Sequence, residues 1–193
     1  GRFLGLTLIG TFGMSSFMAF LGNSSFVYID HFGLTPTQYS LAFSINAISF
    51  FAASQATGTL VWRFGLNRVV KVAVTGYAAA MLGLFAVTLG GADSVFAMGG
   101  FMFVAFGFLG LVLPTTGVLA MEEQGEIAGS ASALMGTVQM VVASVVMGIV
   151  GAFADGSARP MVVAFAVCAV LAFAITQLTL GRGERNMSEV PAE

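Results

Sequence analysis

Six long apolar runs, separated by short polar breaks, decide what this chain can fold into. They lie at 3–27, 37–61, 69–90, 95–119, 127–153 and 160–180. Even the shortest, wound as a helix at about 1.5 Å per residue, reaches across a hydrocarbon core of about 30 Å. A membrane strand alternates apolar and polar positions over about ten residues, and these runs do not alternate. In lipid every backbone N–H and C=O needs an internal partner, so the runs are expected to be helices. The expected fold class is all-α membrane: a six-transmembrane-helix bundle over 1–180. A polar cytoplasmic tail at 181–193, expected to be disordered, follows it.

Composition agrees. Of 193 residues, 58% are hydrophobic and 8% charged, against about 25% charged in an ordinary soluble domain. Seven basic and nine acidic side chains cannot cover a water-soluble fold of this length. The net charge of −2 leaves no basic surface for nucleic acid. Cys168 is the single cysteine, which excludes a disulfide or a cysteine-based metal site within the chain. No cofactor is expected. The first apolar run is too long for a signal peptide and lacks a basic leader. The chain starts at Gly1 without an initiator Met, as expected of a fragment or a processed product.

The breaks carry turn chemistry: Gly33 and Pro36 in the first, Gly65 in the second, Gly90 and Gly91 in the third, Gly125 in the fourth, and Gly156 with Pro160 at the fifth. Arg2, Arg63, Arg68, Lys71, Arg182 and Arg185 fall on one side and only Arg159 on the other. Under the positive-inside rule both termini should face the cytoplasm. A multi-pass protein of the cell inner membrane is expected. Lipid gives helices no hydrophobic reason to meet, so packing must come from small residues. Such stripes run through Gly76 and Gly83 in the third run, Gly100, Gly107, Gly110 and Gly117 in the fourth, and Ser132, Gly136, Ser144 and Gly148 in the fifth. Pro114 should kink the fourth helix.

No charged residue falls at the central depth of any expected helix. Asp30 and Asp93 belong to one interface and Glu122, Glu123 and Glu126 to the other; solvated loop carboxylates are the plain reading, and a gating pair of Glu122 or Glu123 with a basic loop is the functional one. His31, the single histidine, is expected in an exposed turn. The uncharged polar residues expected to be buried are Asn23, Asn46, Gln55, Gln139 and Gln177, each needing a hydrogen-bond partner or water. An intramembrane serine protease needs serine and histidine at membrane depth, and this chain offers no such pair; it is expected not to be an enzyme.

Several segments resemble one family. The stretch 26–36, Phe-Val-Tyr-Ile-Asp-His-Phe-Gly-Leu-Thr-Pro, is similar to the first periplasmic loop in the C-terminal half of Bcr/CflA-type drug-resistance efflux transporters of the major facilitator superfamily. The stretch 58–68, with Gly58, Arg63, Gly65 and Arg68, resembles the degenerate copy of the superfamily's loop motif, although Trp62 stands where that motif usually has an acid. The stretch 128–139 resembles the start of the eleventh helix, and 155–161 the last periplasmic turn.

The resemblance implies helices seven to twelve of a twelve-helix fold, partnered by a missing N-terminal six-helix half and by the lipid bilayer. It further implies a proton-coupled antiporter exporting small hydrophobic or amphipathic compounds by alternating access, so the partners would also include a small-molecule substrate and protons. The proton-carrying group would lie in the missing half. Cavity-lining candidates are Asn23, Gln139 and Asn46, with Met14, Met18, Phe106, Met135 and Met140 by helix identity and depth; methionine suits a pliable apolar site. Gly58, Arg63, Gly65 and Arg68 form either a topology anchor or a cytoplasmic gating loop. The alternative is a self-contained six-helix membrane protein acting as a homodimer or scaffold.

Overall fold

A computed structural model describes residues 2–91, 94–122 and 124–188, the side chains of Glu126 and of 181–188 excepted. Among these residues all regular structure is helical. The α-helices are α1 (Arg2–Ser25), α2 (Pro36–Phe64), α3 (Leu66–Leu89), α4 (Val95–Met121), α5 (Ala128–Ala152) and α6 (Arg159–Ser188). A π-helical turn, Phe26–His31, extends α1, and a 3-10 turn, Gly125–Ile127, precedes α5.

Five segments are long and apolar enough to cross a membrane: Arg2–His31, α3, α4, α5 and Arg159–Leu180. The expected second span is a helix of full length, but its serines, threonines, Gln38, Asn46 and Gln55 make it less apolar than the other five. At the last span the apolar stretch ends at Leu180 as expected, yet the helix continues to Ser188 where a disordered tail was expected. Residues 189–193 of that tail lie outside the described residues.

The helix ends follow from local chemistry. At α2 the Gln38 backbone N–H donates to Thr35 Oγ1 at 3.3 Å, and the Thr35 N–H donates to Gln38 Oε1 at 2.9 Å. This reciprocal cap, with Pro36 in the first turn, satisfies amides that the helix leaves open. Between α2 and α3 stands Gly65 alone, at φ 80°, a backbone conformation that side chains with a Cβ resist.

Successive helices alternate in direction. Arg2 Nη2 donates to Asn67 Oδ1 at 3.3 Å, joining the start of α1 to the start of α3 at one end. At the other end His31 Nδ1 lies 3.1 Å from the Gly156 carbonyl in the α5–α6 turn. Packing follows a repeated plan. Helix α1 packs on α5 and α6, α4 packs on α2 and α3, and the two triplets meet through α1 with α4 and α3 with α6. Exchanging α1, α2, α3 with α4, α5, α6 leaves that plan unchanged.

The core lies on α1, α3, α4 and α6, where Phe20, Tyr77, Met81, Met102, Leu109 and Phe165 are buried at one depth and Leu6, Ile9, Val70, Val74 and Val112 at another. Small residues set the spacing. A Cβ on Gly110 would collide with the backbone carbonyl of Phe50, so α2 and α4 cross there main chain to main chain. Ser49 reinforces the crossing by donating to the Phe103 carbonyl at 2.7 Å. Gly76 and Gly83 likewise receive the rings of Phe108 and Phe101. The expected α5 stripe does not behave this way: Gly136 and Gly148 have open space where a Cβ would stand, as do Gly100 and Gly117 on α4. Helices α2 and α5 are the least covered; α2 buries only Asn46, and α5 buries Ala131, Met135, Ala143 and Val150.

These two kinds of glycine predict opposite outcomes. Gly110→Ala should destabilise the purified chain in detergent by about 1–3 kcal/mol, because Phe50 must move. Gly136→Ala, in an open helical position, should be neutral or stabilise by up to about 1 kcal/mol. Thermal unfolding followed by circular dichroism reads both.

Candidate functional site

The uncharged polar side chains divide into buried partners and an exposed set. Asn23, 7% exposed, donates from Nδ2 to the Ala19 carbonyl at 3.0 Å and to the Met147 carbonyl at 3.5 Å. It therefore ties α1 to α5. Asn46, 2% exposed, is the one buried residue of α2. Its side chain reaches toward the Tyr28 hydroxyl, and its Oδ1 and that hydroxyl are both buried without a hydrogen-bond partner in good geometry. Such groups cost stability and persist where something other than stability holds them.

Asn46 and Tyr28 form part of the wall of an open cavity of about 860 Å³ between the π-helical turn, α2 and α4. Phe32, Phe96 and Phe103 supply aromatic faces, and Gly99 and Gly100 leave backbone bare in the same wall. Among the described residues no charged side chain lines it. Its size suits a drug-sized molecule. Sequence reasoning named Asn46 as a buried polar residue and did not single out Tyr28, Phe96 or Phe103, because an aromatic residue in an apolar run carries no signal until topology gathers it with others.

The remaining candidates are spread out. Gln139, half-buried on α5, reaches over Gly10 of α1, where Met135 also arrives. Met14 and Met18 are half-buried on α1, and Met140 is exposed on α5. Phe106 belongs to the core: its ring stands 4.8 Å from that of Phe20 and 5.9 Å from that of Phe17. Gln55 and Gln177, expected to be buried, are exposed, since both fall on faces that no neighbouring helix covers.

Small hydroxyls instead form the polar interior. Thr11 donates to the Thr7 carbonyl at 2.7 Å, Ser15 to that of Thr11 at 2.8 Å, and Tyr77 to Ser16 Oγ at 2.5 Å. Back-bonding of this kind hides a hydroxyl in an apolar run, which is why the sequence pattern concealed it.

At the opposite end, Arg63 lies over the Phe64 ring, 5.5 Å from its centroid, and Arg63, Gly65 and Arg68 are exposed. Gly58 has open space around it, and Trp62 projects outward at 89% exposure. Glu122 is exposed. Glu123, the other carboxylate expected to pair with this loop, lies outside the described residues, as do Asp93 and the Glu126 side chain. His31 is half-exposed in the turn, as expected. Among the described residues no group of three or more histidine, cysteine or carboxylate side chains could hold a metal.

Comparison with known proteins follows the same lines. The chain is 30% identical over 185 residues, 93% of its length, to the uncharacterized MFS-type transporter YdgK of Bacillus subtilis. A transporter is a homologue of this chain. The chain is also 24% identical over 174 residues, 87% of its length, to a bicyclomycin resistance protein homolog of Haemophilus influenzae. It spans less than half of each relative, 45% of the first and 42% of the second. No protein-family model and no solved structure matches it.

The two buried asparagines are expected to behave differently. Asn23→Leu removes an interhelical bond and should cost about 0.6 kcal/mol. Asn46→Leu removes an unsatisfied acceptor and should leave stability unchanged or raise it by about 1 kcal/mol. Melting of both variants in detergent, side by side, checks the contrast.

Proposed function

We propose that this chain is the C-terminal half of a twelve-helix secondary transporter of the major facilitator type, with α1 to α6 as its seventh to twelfth spans. The transporter exports small hydrophobic or amphipathic compounds in exchange for protons, by alternating access, in the cell inner membrane. Both termini face the cytoplasm. The drug-resistance efflux subfamily is the best fit, and the name of the bicyclomycin resistance relative agrees with it.

One observation carries the reading. Helices α2 and α5 expose small polar residues along their middle: Ser44 and Gln55 on α2, Thr137 and Ser144 on α5. Gly58, Gly136 and Gly148 stand open beside them. Lipid-facing helix surfaces are apolar, and small or polar positions at bilayer depth face protein or a water-filled cavity. A second six-helix bundle against α2 and α5 supplies both, and the transporter relatives are long enough to contain one. The repeated packing of α1–α3 and α4–α6 fits the inverted three-plus-three repeats of such halves. The described residues carry no charge at central depth, so proton exchange belongs to the other half.

In this reading Asn23, Asn46, Gln139, Met14, Met18, Met135 and Met140 border the translocation path, with Phe106 behind them. Gly58, Arg63, Gly65 and Arg68 form the cytoplasmic gate.

Two experiments test it. The full-length protein in liposomes should move lipophilic amphipathic compounds against their gradient while a proton gradient is imposed, and stop when an ionophore collapses it. Flux indifferent to the gradient rejects the antiporter. Gly136→Leu should lower that flux at least several-fold while leaving the six-helix chain as stable as before. For orientation, cysteine at Ser157 should react with impermeant thiol reagents added outside cells, and cysteine at Asn67 should not. The reverse pattern inverts the topology.

A further inference from the structure

A second recess has α5 as one of its walls and lies apart from α2. It is a groove of about 580 Å³ between α5 and α6, floored by Phe12 of α1. Helices α5 and α6 touch little, because α5 packs chiefly on α1 while α6 packs on both α1 and α3, and the groove is the gap left between them. On the α6 side Val163, Val167 and Leu171 recur every fourth residue, which places them on one face. Ile149 and Phe153 form the α5 side, both more than half exposed.

The groove is apolar along its length and charged at one end only. Asp155 and Arg159, both exposed, stand at the α5–α6 turn. From Pro160 to Leu171 the α6 wall is about 16 Å long at about 1.5 Å per residue. One leaflet of hydrocarbon is about 15 Å, half of a core of about 30 Å. The groove therefore has the depth of one leaflet, with its charges at the level of the headgroups.

We propose that this groove is a binding site for a phospholipid with a zwitterionic headgroup, whose acyl chain lies between α5 and α6. Arg159 faces the phosphate, and Asp155 faces the cationic end of the headgroup. An anionic lipid would meet the Asp155 carboxylate with no positive group of its own to offset it. Asp155 stays ionised: the Ser157 hydroxyl and backbone N–H donate to its Oδ1 at 2.6 and 2.9 Å and hold its carboxyl below the usual range. The pair also lies apart from Arg63 and Arg68, which sit at the other end of the bundle, so this headgroup site is independent of the basic loop.

The test reads contact directly. Trp62→Phe removes the single tryptophan of this chain, any tryptophan of the other half is likewise replaced by phenylalanine, and Ile149→Trp places a reporter in the groove; Leu89→Trp, exposed on α3 at the same end, is the control. The purified full-length protein is placed in equimolar phosphatidylcholine and phosphatidylglycerol, with one or the other brominated in its acyl chains. At Ile149→Trp, brominated phosphatidylcholine should be preferred about threefold, the scale of an exposed ion pair. At Leu89→Trp the two lipids should quench equally. The preference should vanish at about 1 M salt, where screening acts within about 3 Å, and this arm needs no change to the turn. Asp155→Asn should shift it toward phosphatidylglycerol. Equal quenching by both lipids in the groove overturns the site. So does quenching by neither, which would mean that protein covers the groove.

Discussion

Lipid tails are as apolar as the side chains that face them, so a bundle in a bilayer holds together by how closely its backbones can come. In this chain that condition is met at the crossing of α2 and α4, where Gly110 admits the main chain of Phe50 and Ser49 bonds across to Phe103. The same logic runs through Gly76 against Phe108 and Gly83 against Phe101. With these contacts made, α1, α3, α4 and α6 enclose the buried clusters, and α2 and α5 are left outside, each held along one side only.

That division organises what the molecule presents to its surroundings. On the inner helices hydroxyls such as Thr11, Ser15, Thr116 and Thr176 bond to the carbonyl one turn back and so cost the core little, while the buried Thr7 hydroxyl has no partner. The outer helices leave Ser44, Gln55, Thr137 and Ser144 exposed; Ser44 and Thr137 bond back to the Ser40 and Ala133 carbonyls at 2.7 and 2.8 Å, and the Gln55 amide has more hydrogen-bonding capacity than lipid can satisfy. Asn46 and Tyr28 show the tension inside a cavity wall, as two polar atoms close together and still unsatisfied.

The sequence disclosed the parts that depend on length and composition. Each of the six α-helices overlaps one of the apolar runs, five of them are apolar enough to span, and α6 continues past its run to Ser188. The break before α2 at Gly33 and Pro36 and the turn at Gly65 were legible because proline and glycine have narrow backbone roles, whereas the Thr35 cap was not read. Which face of each helix is buried was not legible. Gln55 and Asn46 lie nine positions apart on one helix, yet one is exposed and the other buried. A glycine stripe looks the same whether it packs, as at Gly110, or stands open, as at Gly136. The aromatic cavity wall escaped for a related reason: Tyr28, Phe96 and Phe103 come from separate elements, and only the fold brings them to one place.

The single residue between α2 and α3 has a mechanical meaning. A joint this short has no slack, so α2 cannot slide along its axis without pushing α3 by the same distance. What Gly65 leaves free is torsion about its own two backbone bonds, which makes the pair a lever with its fulcrum at one membrane surface. Because α3 is seated against both α4 and α6 while α2 packs chiefly on α4, with Phe43 and Phe50 also stacked on the α1 rings of Phe20 and Phe17, α2 is the less anchored arm of the two.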